Sequence, residues 1–296
     1  MKFPPDNYQQ LREIVSKLRQ GEIELAIGKK SFHALERMLD DADLVAMNNI
    51  VSLGKAIKLS SASITRLAKL LGFRGFQQFQ QIFKQKSKLA NSFYSDGINR
   101  LLQQSPQSPL ALIKQQSLAV ITNIEDTLAT LDEDSLMQAK SLLAKKNRVH
   151  IFAYRHFSAI ANMLRYGLAL IRPNVQMLVQ ESHGVAIALG QLKKEDLLVV
   201  IGSAPYSNIT LKIASLASRQ QCQILAITDT NHSPLTDIAT VAVNIPSAKH
   251  FYSNSLVTNS FIVEALLSLT ALELGGTALN HLQRHELLLS QLEVST

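Results

Sequence analysis

Residues 197–228 have the sequence LLVVIGSAPYSNITLKIASLASRQQCQILAIT, in which two apolar runs flank a stretch of helical periodicity. Leu197–Ile201 and Gln223–Thr228 are continuous apolar runs, which predicts strands buried on both faces of a parallel sheet. Apolar residues in Asn208–Gln220 recur at helical spacing. The segment is therefore expected to be a strand, a helix and a second, parallel strand.

The same alternation continues in both directions along the chain. Outside the central segment we predict strands at Val149–Ala153, Val175–Val179 and Val241–Ile245, and helices over Leu110–Leu142, Ser158–Ile171, Val185–Leu192, Leu256–Leu274 and Thr277–Leu292. Strands that alternate with helices indicate an α/β domain with helices on both faces of a parallel sheet. We place this domain at residues 113–296.

Residues 1–88 show a different pattern, since apolar positions recur only at three and four residues and no strand-like run occurs. This predicts an all-α domain. Between the two domains, the stretch SKLANSFYSDGINRLLQQSPQSP is rich in Ser, Asn and Gln and contains two prolines, which favours a linker. We place the linker at residues 89–112, with room for a short helix.

The charge of the chain is unevenly distributed. Its net charge is +7, and residues 1–90 contain 15 Lys and Arg against 8 Asp and Glu, whereas the remainder contains 15 of each sign. An excess of positive charge confined to the first third suggests an anionic partner for that part, either nucleic acid or a membrane surface. A solvated lysine-rich face is the alternative.

Composition narrows the class of protein further. No apolar run reaches the roughly 18 residues of a membrane span, and the polar start MKFPPDNYQQLREIV does not resemble a signal peptide. The single cysteine, Cys222, excludes an internal disulfide framework and lies in an apolar run, so we expect a buried thiol. A cytoplasmic protein without membrane, metal or cofactor is the simplest interpretation.

Asn49–Phe73 has the pattern of a helix-turn-helix. Apolar residues form one face of a first helix, Lys58–Leu59 supplies a turn, and Ser60 can cap the second helix. Small polar side chains at the start of that helix would allow close approach to the edges of DNA bases. An ordinary basic helical hairpin is the competing interpretation. The predicted DNA-binding residues are Ser60, Ser61, Ser63, Thr65, Arg66, Lys69 and Arg74.

The run S-x-x-S-I-T-R-L-x-K-x-L-G-F-R-G-F at residues 60–76 resembles the helix-turn-helix of RpiR-type bacterial transcription regulators. Two departures are Gly54, where alanine is usual, and Lys58, where the turn usually has glycine. A non-glycine residue in that turn is strained if the backbone needs a positive φ. Neither departure removes a residue predicted to face DNA. The resemblance implies a regulator that binds double-stranded DNA.

The later segments are similar to the sugar isomerase (SIS) domain of the same family. VHIFAYRHFSAIANMLRYGLALIRPNVQML resembles its first strand, helix and second strand, and Ser-Pro-Leu at Ser233–Leu235 is a specific signature. This resemblance implies a domain that binds a phosphosugar or a related effector. It departs from the usual serine-rich loop, because Gly202, Ala204 and Pro205 stand where two serines and a glycine are common.

Ligands of open parallel sheets bind beyond the carboxyl ends of the strands. There the loop 202–210 enters a helix whose N-terminus favours an anion such as phosphate, and Arg155 lies on the loop after the first strand. Ser207 has the alternative role of helix cap. The predicted ligand-binding residues are Arg155, His156, Ser158, Ser203, Ser207 and Thr210.

Other functional interpretations remain open at this point. Glu181 and His183 could be an acid–base pair, which would make the chain a sugar-phosphate isomerase with a basic helical appendage, although we predict no catalytic residue. Asp229 is expected to cap a turn, and His156, His183 and His250 lack metal-ligand spacing. A scaffold that binds polyanions without sequence preference is a third possibility. A helix-turn-helix covers one half-site, which predicts a homodimer or a dimer of dimers.

Overall fold

The computed structural model describes residues 4–104, 108–178, 184–246 and 252–293, and within these ranges it leaves out the side chains at 40, 43 and 87–91. Contacts divide the chain into two compact units, Met1–Asp96 and Gly97–Thr296. The division lies inside the segment that we predicted as a linker. The predicted domain bounds themselves stay a prediction.

Only helices occur in the described part of the first unit, as the periodicity predicts. Their apolar faces enclose a core in which Phe79 and Phe83 are fully buried, with ring centroids 4.9 Å apart. The helices are α1 Tyr8–Gln20, α2 Lys29–Asp40, α3 Ala42–Met47, α4 Ile50–Ile57, α5 Ser61–Leu70 and α6 Phe76–Gln103.

The second unit is an α/β domain. Its elements are α7 Pro109–Thr130, α8 Glu133–Lys145, β1 Val149–Ala153, α9 Phe157–Ile171, β2 Val175–Met177, α10 Val185–Gly190, β3 Leu197–Ile201, α11 Asn208–Arg219, β4 Gln223–Thr228, β5 Val241–Asn244, α12 Val257–Leu274 and α13 Gly276–Gln291. Five parallel strands form one sheet in the order β2-β1-β3-β4-β5, with Val149 opposite Leu197 and Leu197 opposite Gln223. The fold class predicted from the sequence is confirmed.

Two apolar layers cover the sheet. On one side, residues of α8, α9 and α12 pack against side chains such as Ile151 and Val199. On the other side, Ile213 and Ala217 of α11 pack against Leu198 and Val200. Strands β1 and β3 are buried at every position, and their sequences are accordingly continuous apolar runs rather than alternating ones, apart from His150 in β1.

In the sequence, no apolar run is as long as a membrane span. Helix α12 nevertheless is apolar enough to cross a membrane by length and composition. In the fold it packs against α8 and α9, and Ile262, Val263 and Leu266 lie in the core of the domain. A core helix passes the same compositional test, so its apolar character is explained by burial.

The predicted linker differs most from the structure. Helix α6 continues to Gln103, and α7 begins at Pro109 after its N-cap Ser108, so most of residues 89–112 is helical. The polar composition of the segment reflects exposed helix faces, and Pro109 is compatible with a helix at its first position. The helical stretch predicted at Leu110–Leu142 is two helices, α7 and α8, and ends three residues later, at Lys145. The other predicted elements occur, with ends that differ by at most two residues.

Candidate functional site

Helix α5 presents the predicted DNA-contacting residues. Ser60 caps it, accepting a hydrogen bond from the Ser63 amide at 3.1 Å, as predicted. Ile64, Leu67 and Leu71 are buried on the opposite face, which fixes the orientation of the helix. The outward face is thus defined by packing, and on it Arg66 and Lys69 are exposed, with Arg74 exposed just beyond the helix.

The small hydroxyl residues of α5 are partly engaged within the helix. Ser63 Oγ lies 2.9 Å from Ser60 Oγ, and Thr65 Oγ1 donates to the Ser61 carbonyl at 2.9 Å. Each oxygen still has acceptor capacity. Arg66 and Lys69 are consequently the side chains on this helix best able to reach DNA bases or phosphates.

The turn between α4 and α5 has the geometry that the motif requires. Lys58 adopts φ 58° and ψ 42°, a left-handed conformation that disfavours side chains with a Cβ. Gly54 allows the two helices to approach, because a Cβ there would lie 2.5 Å from the Leu59 carbonyl oxygen. Both departures from the family pattern thus sit at the tightest points of the turn.

In the α/β domain, the strand order places a crevice between β1 and β3. Chain connections leave in opposite directions on either side of this pair, which is where open sheets bind ligands at the carboxyl ends of their strands. Two loops border the crevice, residues 154–156 after β1 and residues 202–207 after β3. All six predicted ligand-binding residues lie on these loops or on the first turns of the helices that follow them.

The β3–α11 loop provides hydroxyl groups. Ser203 and Thr210 are nearly buried, at 6% and 4% exposed. Ser207 occupies the N-cap position of α11, yet its side chain makes no capping hydrogen bond. Among the residues that the structure describes, the three hydroxyls have no hydrogen-bond partner. Together with the open N-terminus of α11, they suit an anionic oxygen group.

Neighbouring loops hold the β3–α11 loop in place. The Asp229 carboxylate accepts hydrogen bonds from the Ala204 amide, at 3.0 Å, and from the Tyr206 hydroxyl. Burial and this carboxylate raise the pKa of Tyr206, so the hydroxyl stays protonated and donates. Asp229 therefore connects its own loop to the β3–α11 loop. The expectation that it caps its own turn is wrong, because its carboxylate oxygens accept hydrogen bonds from residues more than twenty positions earlier.

Asn254 is a site residue that the sequence analysis missed. Its side chain is 1% exposed, and its Nδ2 donates to the Ala204 carbonyl at 2.9 Å. The two residues are fifty positions apart, so no local pattern links them. A polar residue shortly before a long apolar helix was the one available signal.

The β1–α9 loop carries charge and a buried imidazole. Arg155 is exposed at φ 58°, and its carbonyl accepts the Ser158 hydroxyl at 2.7 Å. Both ring nitrogens of His156 are buried without a hydrogen-bond partner. Burial, and then the charge of Arg155, lower the pKa of His156, which is therefore neutral near pH 7. A neutral imidazole offers one donor and one acceptor.

Polar atoms that are buried without a partner concentrate at this edge of the sheet. Of the five such atoms among the described residues, four belong to His156, Asn244 and Asn254, which lie at or beyond the carboxyl ends of strands. The fifth is His150 Nε2 near the amino end of β1. Unpaired buried polar atoms are rare in folded proteins, so those at this edge call for a partner such as a water molecule or a ligand.

The sequence also raised the questions of a metal site, an acid–base pair and a buried thiol. In the described ranges, no group of three or more His, Cys, Asp or Glu side chains could hold a metal ion. Glu181, His183 and His250 lie outside the described residues. Cys222 is buried as expected, and burial raises the pKa of its thiol to about 11.

Comparison with known proteins agrees with this architecture. Residues 13–92 match the helix-turn-helix domain of the rpiR family, and residues 142–271 match the SIS domain. An HTH-type transcriptional regulator of Clostridium perfringens is 22% identical over 236 residues, which cover 79% of this chain and 83% of that protein. One from Providencia stuartii is 23% identical over 251 residues, covering 83% and 84%.

Two solved structures share the fold. NanR of Vibrio vulnificus, in complex with ManNAc-6P, has a TM-score of 0.56 and 19% identity, with 94% of this chain and 98% of that chain covered. The sugar isomerase domain of an RpiR transcription factor from Sphaerobacter thermophilus has a TM-score of 0.55 and 21% identity, covering 59% and 97%.

A helix-turn-helix followed by a sugar isomerase domain defines a class of transcription regulators. One family match lies in each of the two units. The relatives of similar length are themselves named HTH-type transcriptional regulators. The chain belongs to the RpiR family of transcription regulators.

Proposed function

We propose that the SIS domain of this regulator senses a phosphorylated sugar or a related carbohydrate anion, and that binding changes the affinity of the N-terminal domain for an operator. The observation that carries the proposal is the crevice between β1 and β3. There, three hydroxyls without partners and the N-terminus of α11 follow β3, and a loop with an exposed arginine follows the neighbouring strand β1. Such donors compensate the hydration that a phosphate loses on binding.

The fold neighbour NanR supports a phosphosugar as the ligand class, since that protein is in complex with ManNAc-6P. Here the site has fewer hydroxyls than the usual serine-rich loop, because residues 202 and 204 are Gly and Ala. The affinity for a phosphosugar is therefore expected to be modest.

The domain acts as a sensor without turnover. An isomerase needs an acid–base pair that reaches the substrate. Asp229 is already bound to the Ala204 amide and the Tyr206 hydroxyl, which favours a positioning role over proton transfer. A DNA-binding protein of this kind works in the cytoplasm, beside its operator, and needs no metal or cofactor.

A homodimer is the expected working form. Exposed apolar side chains recur along α7, including Ile113, Leu118 and Ile121, whereas the residues that α7 buries are the polar Asn123 and Thr127. An apolar helix face left in water favours association. Two copies of the helix-turn-helix would then contact two half-sites of one operator.

Calorimetry with the Ser207→Ala variant tests the sensor site. Because Ser207 makes no capping bond, the substitution removes a ligand-facing hydroxyl without the usual loss of a helix cap. We expect weaker phosphosugar binding and an unchanged melting temperature. The control is Ser108→Ala, which removes a hydroxyl that caps α7 at 3.1 Å and should lower stability without affecting binding. Wild-type protein that binds no phosphosugar would contradict the proposal.

A further inference from the structure

The amide of Asn254 is a deeply buried polar group beside the β3–α11 loop, in a residue that is 1% exposed. It follows the described end of β5 and precedes α12, and its side chain contacts the loop through one hydrogen bond, from Nδ2 to the Ala204 carbonyl. A carbonyl oxygen only accepts hydrogen bonds, so this contact fixes which end of the amide is nitrogen. Oδ1 must therefore point away from the Ala204 carbonyl.

Asn254 Oδ1 is buried and has no hydrogen-bond partner among the residues that the structure describes. Leaving an amide oxygen buried and unpaired is unfavourable, because its hydration is lost without replacement. The oxygen can only accept, so the missing partner must be a donor. The phosphate of a sugar phosphate is mainly an acceptor, whereas its sugar carries hydroxyl or amide donors.

We propose that Asn254 Oδ1 accepts a hydrogen bond from a hydroxyl or amide N–H on the carbohydrate part of the effector. This inference rests on the proposed phosphosugar site. The loop hydroxyls and the N-terminus of α11 bind the anionic end of the ligand, and Asn254 selects for a donor on the sugar ring. A site built to bind a hydroxyl discriminates strongly against an analogue that lacks it, since its own buried group is then left unpaired.

Asn254 and the anion-binding residues thus contact different parts of the ligand. Inorganic phosphate can satisfy the helix N-terminus and the hydroxyls, but it carries no sugar hydroxyl for Asn254. Binding of bare phosphate should therefore be insensitive to Oδ1. Binding of a sugar phosphate should depend on it.

The test uses the full chain and calorimetry with hexose 6-phosphates (ManNAc-6P among them), their monodeoxy analogues and inorganic phosphate. Asn254→Leu keeps the size of the side chain and removes Oδ1. We expect it to weaken binding of the parent sugar phosphate by about 3- to 10-fold, the effect of one lost hydrogen bond. For one monodeoxy analogue the variant and wild type should bind equally.

Comparing the parent sugar phosphate, its monodeoxy analogues and inorganic phosphate distinguishes the loss of Oδ1 from the loss of the hydrogen bond to Ala204. A purely structural role would weaken the parent, every deoxy analogue and phosphate by the same factor, and that result would overturn the proposal. Asn259→Leu is the matched control, because it removes another buried amide, bonded to the Ser255 carbonyl, and should leave discrimination among the ligands intact.

Wild-type protein alone gives a second readout if Asn254→Leu fails to fold. When neither a monodeoxy analogue nor an analogue that lacks the acetamido N–H binds more weakly than its parent, the site recognises no sugar donor and the inference is wrong. When wild type binds no sugar phosphate at all, the sensor function itself fails. The two failures are thus distinguished before any variant is measured.

Discussion

Arg66 lies on the exposed face of α5, whose opposite face is buried at Ile64 and Leu67. Arg66→Ala should weaken specific operator binding by about 1–3 kcal/mol if the guanidinium bonds a base edge. If it contacts only phosphate, affinity should fall equally for all sequences. The slope of the logarithm of the binding constant against the logarithm of the salt concentration should then decrease by about one. Gel-shift titrations with specific and unrelated duplexes distinguish the two contacts.

The control for this experiment is Lys194→Ala, which removes one exposed positive charge from the other unit. It should leave operator affinity unchanged. An Arg66→Ala protein that binds the operator as wild type does would remove Arg66 from the interface.

Lys58 offers a stability test in the same motif. Its φ of 58° is a conformation that glycine adopts at no steric cost, and the family pattern has glycine there. Lys58→Gly should relieve about 1 kcal/mol of backbone strain, offset in part by the added entropy of the unfolded chain. Urea denaturation of the variant should show a small gain in stability. A marked loss would mean that the lysine side chain stabilises the turn in a way that the backbone does not explain.

At the level of residues, the sequence predicted what local patterns determine. The Ser60 cap, the buried face of α5 and the burial of Cys222 follow from spacing within a few positions. The contacts of Asp229 and Asn254 with Ala204 do not, because they join loops that only the folded sheet brings together. Ser207 shows that a local pattern can also mislead, since its position before α11 predicts a capping hydrogen bond that its side chain does not form.

Among the elements, strands β1 and β3 share a cluster of polar side chains around the buried Asp196 at their amino ends. Arg148 donates to Asp196 at 2.6 Å, and His150 Nε2 lies 3.7 Å from the same carboxylate. Burial raises the pKa of Asp196, but hydrogen bonds from Arg148 and Lys193 outweigh it and hold the pKa below its usual value. Burial lowers the pKa of His150 despite the nearby carboxylate. His150 is therefore neutral in the folded protein near pH 7.

This cluster predicts a loss of stability in mild acid. Because the pKa of His150 is lower in the folded state, the unfolded chain binds a proton first as the pH falls through about 6.5. The free energy of unfolding should then decrease, by at most about 1.4 kcal/mol per pH unit for this group. His150→Gln should flatten the pH dependence of the melting temperature between pH 7.5 and 5.5. A slope equal to that of wild type would assign the effect to other groups, among them His156.

Element types were predictable because burial and periodicity agree along each element. Helix α11 and strand β4 occur almost where their apolar patterns place them. The segment 89–112 contains more helix than predicted, because the exposed positions of α6 carry the same polar residues as a linker. Composition alone does not distinguish a solvated helix from a loop.

For the whole molecule, the exposed apolar face of α7 predicts a homodimer or a dimer of dimers. Leu118 is 65% exposed on this face. Leu118→Glu should shift the protein toward the monomer, since a charge in a closed apolar interface is unfavourable. Light scattering at micromolar concentration measures the change. If the wild-type protein is a monomer under these conditions, the predicted assembly is wrong, and each copy would bind one half-site by itself.

The central claim is that a sugar phosphate bound in the SIS domain changes DNA affinity. It is tested most directly by fluorescence anisotropy of a labelled duplex from the region upstream of the gene, titrated with hexose 6-phosphates. One of them should shift the wild-type affinity by about fivefold or more, and Arg155→Ala should bind the free duplex normally without responding to the sugar phosphate. If no sugar phosphate alters the affinity of wild type, the domain serves only for dimerisation and the account is wrong.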